Sequence, residues 1–197
     1  MTRLTSFTRA PFMKSKRVDK ALIIRKAYQL FREKGYSHTS MADIGQACGL
    51  LKGSIYYYFP SKEELMRQVL ISDHEYMKSK VYALAYVDHL PYKERLNQVL
   101  EALESCFFDA PGGCLMANIG LESAQVVPGF TQVIRVFFED WIAAFSHIFQ
   151  SRYDQAEARS MAEQAVQEIE GAIMLSVLFQ DNRFFLSTSQ KVLSYLK

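Results

Sequence analysis

Two sets of residues in this chain have the types and spacing to do chemistry: a basic N-terminal third that ends in a run of tyrosines, and three thiols. Residues 1–62 hold 12 Lys/Arg against 3 Asp/Glu and residues 63–197 hold 11 against 18, so the parts carry +9 and −7 within a chain of net charge +2. A strongly basic module on a mildly acidic remainder suits a polyanion as partner, with a solvated basic tail as the alternative. At the end of the basic part, Lys52-Gly53-Ser54-Ile55-Tyr56-Tyr57-Tyr58-Phe59 places a cation, a glycine and a hydroxyl ahead of aromatic rings. Cys48, Cys106 and Cys114 are odd in number and form no C-x-x-C pair, which suits neither a disulfide framework nor a structural zinc site and points to a reducing, cytoplasmic compartment. Cys114 stands at the start of an expected helix, whose positive end would lower its pKa and expose a thiolate to electrophiles or oxidants. The alternative is a buried cysteine acting as a small hydrophobe. His38, His74, His89 and His147 show no metal-ligand spacing, and the sequence holds no nucleotide-binding glycine loop and no serine-histidine arrangement. No metal, cofactor or catalytic residue is expected.

The elements that must position these groups are helical. With 49% hydrophobic residues, only 9 Gly and 5 Pro in 197 positions and no internal repeat, the chain can build a core but not a series of short turn-linked strands. Its longest uncharged stretches reach 12 residues, against roughly 18 to 20 needed to span a bilayer, so no membrane segment is expected. Residues 1–16 have no apolar core of a leader and are expected to form a flexible basic arm. Ile24, Ala27, Tyr28 and Phe31 then recur at helical spacing, and Gly35 stands where a helix would end. Ser40-Met41-Ala42-Asp43 has the form of a capping box that opens a short helix through Cys48. Propensity alone makes residues 55–59 a strand. Ser61-Lys62-Glu63-Glu64 repeats the capping form and predicts a long helix to about Val87. Helices are expected over 92–109, 115–126, 129–151, 154–180 and 183–196, punctuated by Pro111-Gly112-Gly113, Pro128-Gly129, Asp154 and Asn182. Within 154–180, Ala162, Ala165, Val166, Ile169, Ala172, Ile173 and Ser176 form a stripe that could receive a partner helix or lie buried within the same chain.

Taken in order, Ile23-Ile24, Ala27, Leu30-Phe31, Lys34-Gly35-Tyr36, Thr39-Ser40-Met41-Ala42-Asp43-Ile44, Cys48-Gly49-Leu50, the run from Lys52 to Phe59 and Ser61-Lys62-Glu63-Glu64-Leu65 resemble the N-terminal segment of the TetR family of one-component transcriptional regulators. The resemblance implies an all-α fold. Residues 17–62 would form a three-helix helix-turn-helix domain for double-stranded DNA, and 63–197 a helical ligand-binding and dimerisation domain. It also implies that the aromatic run ends a short recognition helix in the major groove, overriding its strand propensity. There Lys52 would approach bases or phosphates, Gly53 would let the backbone come close, Ser54 would donate to an oxygen, and Tyr57 and Tyr58 would face the duplex. Tyr56 matches a contact position or packs as a core aromatic. Thr39 and Ser40, at a helix N-terminus, and Lys62 would clamp the DNA backbone. Arg9, Lys14, Lys16, Arg17 and Lys20 could extend the contact to neighbouring phosphates or the minor groove. The sequence departs from the family pattern at Gly45, where alanine is usual, at Leu51, where serine or threonine is usual, and at Tyr58, where histidine is commonest.

For the second domain the resemblance implies a homodimer and an unidentified small-molecule inducer. Gly112-Gly113-Cys114-Leu115-Met116-Ala117-Asn118 is similar to a segment of a TetR subgroup that includes regulators of electrophile and reactive-chlorine responses, which would make Cys114 a sensor. Cys106 could serve as a resolving thiol. Phe107, Phe108, Met116, Phe137, Phe138, Trp141, Phe145 and Phe149 could line an apolar cavity, with Asn118, Glu122 and Gln125 as polar contacts. A palindrome-reading repressor is the leading reading. The alternatives are a thiol-based enzyme using Cys114 and a nonspecific nucleoid or helical adaptor protein.

Overall fold

The computed structural model describes residues 18–51, 53–109, 111–123 and 128–197. The expected arm and Lys52 lie outside the described residues, as do Arg9, Lys14, Lys16, Arg17 and Gln125. Among the described residues eight α-helices, α1 (Lys20–Lys34), α2 (Met41–Ala47), α3 (Lys62–Lys80), α4 (Tyr92–Phe108), α5 (Leu115–Ser123), α6 (Pro128–Phe149), α7 (Gln155–Phe179) and α8 (Arg183–Ser194), run in order, with 3-10 turns at Ser54–Tyr57 and Tyr82–Tyr86. Among the described residues there is no strand.

Local hydrogen bonds explain where these helices begin. Asp19 caps α1 by accepting from the amide of Leu22 at 2.8 Å, and Ser40 caps α2 while the Asp43 side chain returns to the Ser40 amide, completing the box. Ser61 caps α3 through the Glu64 amide. The small N-terminal core is made by Ile23, Ala27, Phe31, Met41, Ile44, Ile55, Phe59 and Leu65. The aromatic run forms a 3-10 turn rather than a strand, and burial shows why. A strand would put Ile55, Tyr57 and Phe59 on one face, but Ile55 and Phe59 are buried while Tyr57 is 90% exposed. One turn of helical winding anchors the two apolar residues and leaves the middle of the run outside.

Helix α3 departs from the expected length. It ends at Lys80, and the tighter turn at Tyr82–Tyr86 rotates Val81, Tyr82 and Ala85 into the core, where Tyr82 stacks on Trp141. Of the two readings of the α7 stripe the structure takes burial within the chain: Ala162, Ala165, Val166, Ile169, Ala172, Ile173 and Ser176 are buried, with α6 the main neighbour of α7. A different face of the same region is bare. Met174, Val177, Leu178 and Phe179 on α7 and Leu186 on α8 are exposed, Leu178 by 71%. No described helix is long and apolar enough to cross a membrane.

Candidate functional site

The loop after α2 delivers one cluster of side chains to solvent. Gly49, just past α2, and Gly53, just ahead of the 3-10 turn, take positive φ of 69° and 85°, conformations glycine adopts without strain. Leu51 (83% exposed), Gly53, Ser54, Tyr56 and Tyr57 stand out from this turn, while Ile55 pins it beneath. Tyr57 touches Tyr58 edge-on, with ring centroids 5.5 Å apart. A protein rarely leaves two tyrosines and a leucine in water on one short turn unless a partner covers them. A Cβ added at Gly45, where alanine is usual, would lie 3.7 Å from Ile55, an ordinary contact, so the packing of α2 on the turn has room for either residue.

Three of the expected DNA contacts point inward instead. Thr39 is 1% exposed, and its hydroxyl donates to the Gly35 carbonyl at 2.8 Å and to the Leu30 carbonyl at 3.3 Å. Lys62 donates through Nζ to the carbonyls of Tyr36 (2.9 Å) and Thr39 (3.1 Å) and lies 4.2 Å from the Tyr36 ring centre. Tyr58 is half-buried, and its hydroxyl donates to the Val18 carbonyl ahead of α1. The structure therefore uses these side chains to hold the α1–α2 loop and the chain entering α1. Ser40 is exposed but is committed to the capping box with Asp43. It follows that Lys62→Met should lower stability by about 1–2 kcal/mol through the two lost carbonyl bonds. The same variant should leave the salt dependence of DNA binding unchanged. Chemical denaturation and affinity titrations in increasing salt check both; a slope reduced by about one counterion per chain would mark Lys62 as a phosphate contact after all.

The expectation of an acidic Cys114 thiol is also corrected. Cys114 is 3% exposed, its Sγ accepts from the Ala117 amide at 3.4 Å, and burial first, then the neighbouring Glu170 carboxyl, drives its pKa well above the ordinary thiol value. Position at a helix N-terminus does not overcome these two effects. Cys106 is half-buried with its pKa raised by burial and by Asp73, and Cys48 is buried; all three cysteines are free thiols. With iodoacetamide at neutral pH, Cys114 in the folded chain should label about a hundredfold more slowly than in the unfolded chain, and after Cys106. Peptide mass mapping of a time course reads the order, and fastest labelling at Cys114 would refute it.

The remaining expected ligand residues divide. Phe137 and Trp141 are core, not cavity: both are fully buried and share one aromatic cluster with Tyr82, Phe138 and Phe145. Asn118 lines a cavity of about 550 Å³ between α5 and α7, along with Cys114, and its amide donates to the Gly112 carbonyl at 2.8 Å. Glu122, expected as a ligand contact, reaches across to the helix-turn-helix. It accepts from the amides of Tyr36 (3.1 Å) and Ser37 (2.7 Å) and from the Ser37 hydroxyl. Burial works upward on its pKa, but these bonds hold the carboxyl below its ordinary value.

Sequence reasoning missed Arg32. This buried arginine at the end of α1 donates to the carbonyls of Cys106 (3.3 Å) and Phe107 (3.1 Å) at the C-terminus of α4, where the helix dipole favours a cation. Its sequence signal was slight, a charged residue beside Phe31 on the apolar face of α1. Together Arg32 and Glu122 join the two parts of the chain by hydrogen bonds.

Comparison with known proteins agrees with this arrangement. The profile of bacterial regulatory proteins of the tetR family matches residues 23–69, and that of the transcriptional regulator LmrA/YxaF-like C-terminal domain matches 94–191. The chain is 25% identical over 193 residues to the uncharacterized HTH-type transcriptional regulator YxaF of Bacillus subtilis, spanning 91% of this chain and 96% of that one. It is 32% identical over 102 residues to the HTH-type transcriptional repressor ComR of Escherichia coli, but there spans only 49% of ComR, about half its length. A TetR transcriptional regulator from Legionella pneumophila shares the fold, with a TM-score of 0.82 at 23% identity over 90% of this chain and 97% of that one. With both its halves matched in order, the helix-turn-helix by one profile and the regulatory helices by the other, the chain belongs to the TetR family of bacterial transcriptional regulators.

Proposed function

We propose that this chain is a homodimeric DNA-binding repressor that reads a palindromic operator in the major groove and releases it when a small molecule binds the C-terminal domain. The observation that carries the reading is the exposed 3-10 turn: Ile55 is spent on anchoring it and Tyr57 is left free above it. Within this reading, residues 17–62 recognise DNA and 63–197 regulate and dimerise. Lys52, Gly53, Ser54, Tyr56 and Tyr57 meet the groove, and Ser40, at the first residue ahead of α2, lies beside a phosphate. Two such turns, one from each copy, would sit about 34–36 Å apart on successive turns of duplex. The bare face of Phe179 and Leu186 supports a second copy packed there. The protein acts on DNA in the cytoplasm and catalyses nothing; a buried, protonated Cys114 gives the thiol-enzyme alternative no nucleophile.

Release needs the two parts to move together. Glu122 on α5 holds the α1–α2 loop by its amides, and Arg32 on α1 holds the end of α4, so a shift of α5 or α4 displaces the reading turn. A differential affinity of about 1–3 kcal/mol between two dimer geometries is enough for regulation. The test is a titration against a duplex enriched from a random pool and against its scrambled counterpart. A repressor should prefer the enriched duplex by about a thousandfold or more. Equal affinity for both, falling steeply with salt, would make the chain a nonspecific nucleoid protein instead.

A further inference from the structure

The cavity of about 550 Å³ between α5 and α7 has mostly apolar walls, among them Ala117, Ile173, Met174 and Val177, and is lined in addition by Cys114 and Glu170. Its size suits a drug-sized molecule. The polar side chains that line it, Cys114, Asn118 and Glu170, include no cation. The Cys114 thiol lies within electrostatic reach of the Glu170 carboxyl, and Glu170 Oε1 is buried without a protein partner. The Tyr82 hydroxyl, within electrostatic reach of Cys114, Glu170 and Asp73, is also buried without one. No basic side chain among the described residues acts on the Glu170 carboxyl, whose pKa burial pushes up to about 7 while the nearby Cys114 thiol works the other way. A buried carboxylate oxygen lacking a donor costs free energy that a charged donor recovers best, because hydrogen bonds to an ionised group are roughly twice as strong as neutral ones. An anionic ligand would be repelled by the Glu170 carboxylate.

We propose that this cavity binds an apolar molecule carrying one protonated amine, its ammonium donating to Glu170 Oε1 and its hydrocarbon body lying on Ala117, Ile173, Met174 and Val177. The assignment gives the chemical class of the small molecule in the regulatory reading above, and rests on that reading only for its consequence at DNA. Calorimetric titration of the full chain with phenylbutylamine, phenylbutanol and phenylpentanoate tests it without DNA. The amine should bind the wild type about tenfold or more tighter than the alcohol, and the carboxylate should be weakest. In Glu170→Gln the preference for amine over alcohol should shrink to within about twofold, since the charge is gone and the shape is kept. Ala117→Phe, which fills the cavity from its apolar wall, should weaken the amine and the alcohol alike and holds the test open should the Glu170 variant not fold. Equal binding of amine and alcohol to the wild type, an amine preference that survives Glu170→Gln, undiminished binding to Ala117→Phe, or no binding of any probe would overturn the proposal. Adding the amine to a chain–DNA complex separates the two readings: binding without release leaves the ligand class intact and removes only its role as inducer.

Discussion

Tyr57→Ala should weaken binding to the operator about thirtyfold or more while leaving thermal unfolding unchanged. Each good contact to a base edge is worth about 1–3 kcal/mol, a homodimer loses two at once, and 1.4 kcal/mol is a factor of ten. Stability is spared because the ring is 90% exposed and meets the Tyr58 ring only edge-on. Tyr57→Phe divides the effect. If it restores most of the affinity, the ring is meeting thymine methyl groups; if it does not, the hydroxyl is meeting phosphate. Equal affinity for the wild type and Tyr57→Ala, measured by fluorescence anisotropy on the same duplex, would remove Tyr57 from the interface.

The largest effect on stability is expected at Gly112. Its φ is 103°, and a Cβ added there would lie 2.3 Å from the Arg32 carbonyl oxygen and 2.8 Å from the carbonyl carbon. Both atoms are backbone at the end of α1, so no side-chain rotation relieves the overlap. Gly112→Ala combines an unfavourable backbone conformation with an overpacked contact, and should cost about 3 kcal/mol or more. The loop would have to leave α1 and strain the Asn118 bond to the Gly112 carbonyl. The same place is where Arg32 holds the end of α4. A variant that still folds should therefore respond more weakly at DNA to whatever fills the cavity. Denaturant titration gives the stability, and a change within about 0.5 kcal/mol, the range of an ordinary surface substitution, would show that the close approach is not maintained in solution.

What could be read from sequence was whatever local chemistry decides. The Ser40–Asp43 and Ser61–Glu64 caps are bonds between a side chain and an amide three residues away, so their spacing is visible in the chain and the structure places them as expected. The apolar face of α1 was legible for the same reason. Thr39, Lys62 and Tyr58 were harder. Their types suit phosphate, but their acceptors are the carbonyls of Gly35, Tyr36 and Val18, which only the fold brings within reach. Cys114 shows the limit most clearly. Its place at a helix start was correctly read, but its acidity is governed by burial and by Glu170, contributed by a helix far along the chain. For α7, periodicity identified a stripe of small residues without revealing whether α6 or a second copy would cover it; the structure assigns it to α6 and leaves Met174, Leu178 and Phe179 bare.

The central claim is that paired copies of the exposed turn read DNA sequence, and selection of bound duplexes from a random pool tests it most directly. The expected result is an enriched inverted repeat whose half-sites lie about one helical turn apart, with the enrichment lost for Tyr57→Ala. Enrichment of no sequence, or of a single unrepeated site equally well by the wild type and Tyr57→Ala, would contradict it.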